Sequence, residues 1–89
     1  MLRLDIFKRS SEFIEKLPRK QARQIIIKIQ VLRTDPQPPD TILLKGHHPL
    51  RRADIGEYRI IYFVKEDLLN IVLVGKRNDD EIYKQLKRL

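Results

Sequence analysis

The stretch Asp54–Val64, DIGEYRIIYFV, decides the fold. Gly56-Glu57 falls where a two-residue turn is needed between apolar runs, the pattern of a β-hairpin. Such a turn sets Asp54 opposite Arg59 and Arg52 opposite Ile61, and alternation then puts Arg52, Asp54, Arg59, Ile61 and Phe63 on one sheet face. Arg59 stands at the start of the most apolar strand, where the pattern expects a core residue. Either it pairs with Asp54 across the ladder or it belongs to a site.

Downstream, Glu66-Asp67 marks a second tight turn, so Leu50–Ile55, Tyr58–Val64 and Leu68–Val74 read as an antiparallel meander, with Thr41–Leu44 a further strand candidate. Strict alternation through Leu69, Ile71, Leu73 and Gly75 leads to Arg77. Whether Arg77 shares a face with Arg59 depends on one residue of register in the Glu66-Asp67 turn. If it does, Arg52, Arg59 and Arg77 converge. Three guanidiniums on one face repel each other unless an anion joins them, and their planar forks match phosphate oxygens. Tyr83, a helical turn and a half past Arg77, either reaches the same groove or packs its helix onto the sheet as a half-buried tyrosine.

Upstream, residues 2–6 alternate apolar and charged, the period of a half-buried strand. Ser10 or Ser11 can cap a helix with Phe13, Ile14 and Leu17 facing inward, and Pro18 closes it or opens the next. Ala22, Ile25, Ile26, Ile29 and Leu32 recur at helical spacing and form the stripe of a second helix, so the two make a helical hairpin. Residues 34–40, TDPQPPD, end it, because prolines remove donors and disfavour helix in the residue before them. At the other terminus, NDDEIYKQLKRL predicts a helix. Asn78 and Glu81 fit a capping box, basic residues fill the last turn, and Ile82, Leu86 and Leu89 form the buried stripe.

These elements predict an α+β fold of one domain, residues 1–89: an antiparallel sheet of about four strands, the helical hairpin packed on it, and a short C-terminal helix. The core is thin, so function sits on the surface or in a shallow groove. With no cysteine, disulfides and thiolate metal sites are excluded. No apolar run approaches the ~20 residues that span a bilayer, and the chain reads as soluble, cytoplasmic and independent of membranes. Nineteen Lys and Arg against twelve Asp and Glu give a net charge of +7, so polyanions are natural partners. Residues 1–34 hold nine basic and three acidic side chains, and residues 35–89 hold ten and nine. The electrostatic footprint therefore falls on the first third, where Arg19, Lys20, Arg23, Lys28 and Arg33 occupy the outer side of the second helix. His47-His48 is a tandem pair without Asp, Glu or Cys at ligand spacing, so no metal site is expected, and no phosphate-loop or dinucleotide fingerprint occurs.

The helical hairpin opening with KLPRK, followed by LLKGHHPLRRADIGEYRIIYFV and VLVGKRNDDEIYKQLKRL, resembles the RelE/ParE toxin superfamily of toxin–antitoxin modules, and its RelE branch most closely. The resemblance covers essentially the whole chain and rests on G-x-YR-x-x-Y at 56–62 and G-K-R-x(5)-Y at 75–83. It implies a ribosome-dependent mRNA endoribonuclease that cuts the message in the A site. By position Arg59, Arg77 and Tyr83 match the family's site residues. Arg52 falls at one of two basic positions, usually lysine, and Leu50 at the other. Lys45 and Arg51 match less securely and, with Arg19, Lys20, Arg23 and Lys28, are expected to contact RNA or the ribosome. Arginine is a poor base, so the resemblance leaves Tyr83 as the candidate proton acceptor, with His47 or His48 in reserve. No cofactor is implied. The implied partners are an acidic antitoxin, the ribosome with its mRNA, and DNA only through an antitoxin complex. The alternative within the superfamily is a ParE-like inhibitor of DNA gyrase that cuts no RNA.

Overall fold

The structure, a computed structural model, describes residues 1–78 and 81–88. Its strands are β1 (Arg3–Ile6), β2 (Thr41–Leu43), β3 (Arg51–Ile55), β4 (Tyr58–Lys65) and β5 (Leu68–Lys76). Its helices are α1 (Lys8–Glu15), α2 (Arg19–Thr34) and α3 (Glu81–Lys87). The sheet order is β1-β5-β4-β3-β2. The predicted meander forms, with β3, β4 and β5 antiparallel in sequence, and β2 pairs antiparallel on β3. The N-terminal strand joins the same sheet, parallel to β5, so the sheet has five strands rather than about four and is mixed rather than purely antiparallel.

The helical hairpin covers one sheet face. Ile25, Ile29 and Leu32 of α2 are fully buried against Ile60, Tyr62, Leu69 and Ile71, with Ile14 of α1 completing the layer. Each such aliphatic side chain contributes about 1.5–3 kcal/mol by leaving water. Tyr62 is buried with its hydroxyl satisfied by the carbonyl of Pro36 at 2.6 Å, which anchors the proline-rich connection after α2. Ile26 departs from the expected stripe: it is exposed, because it lies about 100° around the helix from Ile25 and beyond the edge of the sheet contact.

The opposite face carries α3. Ile82 and Leu86 pack on Leu44, Ile61, Val72 and Leu73, with Leu50, Phe63 and Tyr83 at the margin. The expected Asn78–Glu81 capping box depends on the Glu81 side chain, which lies outside the described residues, as does Leu89.

Neither Ser10 nor Ser11 caps α1, whose N-cap is Phe7 and carries no side-chain cap hydrogen bond. Ser10 lies inside the helix, fully buried, and donates to the carbonyl of Ile71 at 3.3 Å, an oxygen that also accepts from the Phe7 amide at 2.9 Å. Burial against β5 decided its place. Pro18 takes the second of its two roles and is the N-cap of α2.

Candidate functional site

The Gly56-Glu57 turn has the predicted register: Asp54 pairs with Arg59 and Arg52 with Ile61. Gly56 adopts φ +56°, a conformation that costs a residue with a Cβ and that a tight hairpin turn requires.

Arg77 reaches the same face by a route other than the one expected. The Glu66-Asp67 turn is regular, with Lys65 paired to Leu68, but β5 does not alternate strictly. Tyr62 pairs with Ile71 and Ile61 with Leu73, so Val72 is an extra residue in a β-bulge. The bulge changes the phase of the strand. Leu69 and Ile71 face the helical hairpin, whereas Leu73 faces α3, and Gly75 lies opposite Arg59. Continued alternation puts Arg77, whose amide bonds the Glu57 carbonyl at 2.7 Å, on the Arg59 side.

Three arginines thus meet around two acceptors. Tyr83 Oη accepts hydrogen bonds from Arg59 Nη1 at 2.9 Å and Arg52 Nη1 at 3.2 Å. The Arg59 guanidinium also lies 5.8 Å from the centroid of the Tyr83 ring. The Asp54 carboxylate sits between the cations: Oδ1 is 3.2 Å from Arg59 Nε and 3.6 Å from Arg52 Nε, and Oδ2 is 3.6 Å from Arg77 Nε. The anion that like-charged arginines need is therefore an internal one. Arg52, Arg59 and Asp54 are each about a quarter exposed or less, whereas Arg77 is half exposed at 52% and donates to the Gly56 carbonyl at 3.3 Å.

Beside the cluster an open groove of ≈ 470 Å³ is lined by Gly56, Glu57, Arg59, Lys76, Arg77 and Asn78. Arg59 belongs to both groove and cluster. A second hollow shares Gly56 and Glu57 and adds Lys20, Gln21, Gln24 and Tyr58, which carries the basic N-terminal half of α2 up to the same turn. Arg19, Lys20 and Arg23 are exposed, and Lys20 lines this hollow.

The other expected residues are placed elsewhere. Arg51 pairs with Tyr62 and so lies on the opposite face from Arg52, where it donates to Thr41 Oγ1 at 3.1 Å. Lys28 is engaged by Asp40 at 2.8 Å. Arg33 donates from Nε to the Leu2 carbonyl at 2.8 Å and tethers β1 to the end of α2. His47, His48 and Lys45 are exposed in the loop between β2 and β3, at the far end of β3 from the Gly56-Glu57 turn, and none of them lines the groove. Leu50 packs beside the α3 cluster, so the second basic position expected from the resemblance is apolar. Asp54 was legible in sequence only as a partner for Arg59. Its contact with Arg77 depends on the bulge.

No protein-family model and no curated protein matches the sequence. Solved structures do. A RelE–RelB complex from the archaeon Pyrococcus horikoshii superposes with a TM-score of 0.76 at 28% identity, covering 86% of this chain and 96% of that one. The fold is that of the RelE-like toxin superfamily. A double mutant of the E. coli RelE toxin in the free state matches with a TM-score of 0.80 at 22% identity, covering 99% of this chain and 97% of that one. The RelBE2 toxin–antitoxin complex from Mycobacterium tuberculosis matches with a TM-score of 0.74 at 18% identity over 85% and 98%. Several RelE-like neighbours are thus toxins solved with a RelB antitoxin bound.

Proposed function

We propose that this chain is the toxin of a type II toxin–antitoxin module and cleaves mRNA in the ribosomal A site without a metal. The observation that carries the reading is the convergence of Arg52 and Arg59 on Tyr83 Oη, with Arg77 on the same face and a groove alongside. In this reading the ribose 2′-oxygen attacks the adjacent phosphorus and the bond to the 5′-oxygen breaks. A 2′,3′-cyclic phosphate and a 5′-hydroxyl remain. Tyr83 Oη, which accepts two guanidinium hydrogen bonds, is the acceptor of the 2′ proton, and solvent protonates the departing 5′-oxygen.

Arg59 and Arg77 face the charge that grows on the phosphate, each supplying about 3 kcal/mol when fully engaged. Arg52 positions Tyr83. The site holds few strong acid–base groups, so free RNA is a slow substrate and the ribosome supplies the reactive mRNA conformation. The exposed Arg19, Lys20 and Arg23, of which Lys20 lines the hollow that shares the Gly56-Glu57 turn with the groove, dock on ribosomal RNA. The protein acts in the cytoplasm, and an acidic antitoxin segment folding across its basic surface quenches it.

The test is translation of a defined message in a purified bacterial system, with wild-type protein or Arg77→Ala and with a no-ribosome control, mapping new 5′ ends by primer extension. In-frame A-site cuts that need ribosomes and vanish in the variant are expected. An intact message overturns the reading and sends the protein to a gyrase supercoiling assay.

A further inference from the structure

Asp54 is fixed to β3 two residues before the turn, and its carboxylate contacts all three arginines of the cluster. A backbone-tethered anion cannot be exchanged for a ligand. An incoming phosphate must share the cations with it. Arg59 already commits Nε to Asp54 and one N–H of Nη1 to Tyr83, so a ligand must use its remaining N–H donors.

The charge count has a direct consequence. Arg52, Arg59 and Arg77 sum to +3, and Asp54 reduces this to +2. An internal phosphodiester brings one negative charge, and a terminal phosphomonoester brings about two at neutral pH. Repulsion from a fixed carboxylate scales with ligand charge, so it costs the monoester about twice as much free energy as the diester.

We propose that Asp54 is a charge filter and a positioning residue: it holds Arg59 in register with Tyr83 and biases the site toward internal phosphodiesters over terminal phosphomonoesters. The inference rests on the reading of this face as the phosphate site. Such a filter favours unbroken chain over ends that carry a dianionic phosphomonoester, while the monoanionic 2′,3′-cyclic phosphate left by cleavage is treated as a diester.

Binding of two uncleavable probes separates the possibilities: a dinucleoside monophosphate lacking the attacking 2′-hydroxyl, and 2′-deoxyuridine 3′-monophosphate. Titrations use wild type, Asp54→Asn and the charge-conserving Asp54→Glu. Asp54→Asn is expected to tighten the diester by about tenfold and the monoester by about a hundredfold at low salt, so the preference shifts by about tenfold. Asp54→Glu keeps the wild-type preference and verifies that the position tolerates substitution. In the ribosomal assay Asp54→Asn lowers KM and also lowers kcat, because Arg59 loses its anchor.

Equal changes for both probes, or weaker binding in Asp54→Asn, overturn the filter. Absence of binding to either probe by any of the three proteins overturns both the filter and the phosphate-site reading. A shifted preference in a protein that never cuts mRNA leaves the filter standing and removes the nuclease.

Discussion

Tyr83 is held by its hydroxyl rather than by deep burial. Its ring sits at the margin of the α3 cluster, while its oxygen receives two guanidinium hydrogen bonds. Tyr83→Phe removes that oxygen and keeps the ring. The expected result is a fall in ribosome-dependent cleavage of at least about a hundredfold, the scale of a lost proton-transfer group, with the thermal midpoint little changed. A variant that cuts at the wild-type rate would take proton transfer away from Tyr83. Arg59 pairs with Asp54 as a cross-strand partner and also donates to Tyr83 Oη in the arginine cluster. The pairing was available from the hairpin register alone, whereas the cluster also needed the placement of Arg77 and Tyr83. The exclusion of His47 and His48 from the groove was not, since a loop of that length can fold toward either end of β3.

β5 sets the limit of what the sequence could tell. It is buried on both faces, and Asn70 alone is polar within Leu68–Val74, too little to mark a phase, so a bulge at Val72 leaves no trace in the apolar run Ile71–Val74. β1, which faces water on one side, was readable by alternation, β3 by the Gly56-Glu57 turn, and the α2 stripe by its period. Ile26 was overcounted because an apolar residue beside a stripe looks the same as one within it. Ser10 reads as a cap by residue type and is a core donor by location. The bulge also governs how α3 is seated, because Gly75, opposite Arg59, lies under Ile82. A Cβ at Gly75 would stand 3.2 Å from Ile82 Cβ, so α3 must shift by a few tenths of an ångström. Gly75→Ala is therefore expected to lower stability by about 1–3 kcal/mol, as overpacking does, and to lower cleavage further by moving Tyr83 off Arg52 and Arg59. Chemical denaturation and cleavage rates measured on the same preparation check both. Unchanged values for each would mean that α3 is not seated on Gly75.

Charge acts on the whole protein in two ways, through stability and through long-range attraction. Arg3 binds Asp67 at 2.8 Å and ties the start of β1 to the β4–β5 turn, and Lys28 holds Asp40 in the same manner. The hydrogen bond from Arg3, followed by its charge, keeps the Asp67 carboxyl below its ordinary value. A carboxyl whose folded-state pKa is depressed contributes fully above its unfolded value and loses that contribution as pH falls through the folded value. Wild-type stability should therefore decline from about pH 5 toward about pH 2, and Asp67→Asn should show a shallower decline in a thermal-melt series. Parallel profiles would remove the pair from the acid response. The exposed pair is screened by solvent, so the effect at neutral pH is small. The basic residues of α2, alike in the sequence, fall into two groups in the fold. Arg33 and Lys28 are committed to internal partners, whereas Arg19, Lys20 and Arg23 are exposed and Lys20 lies beside the turn that carries the groove. If those three contact ribosomal phosphates, replacing them together with glutamine should reduce the slope of log affinity against log salt by about 2, at about 0.7 per contact for single-stranded regions. Replacing Arg33 should leave the slope unchanged and lower the melting temperature, because its guanidinium binds the Leu2 carbonyl rather than solvent-facing anions. Ribosome binding across a salt series distinguishes these outcomes. A slope that falls for Arg33 and not for the α2 triple would move the docking surface from the front of α2 to its C-terminal end, away from the groove that the cluster faces.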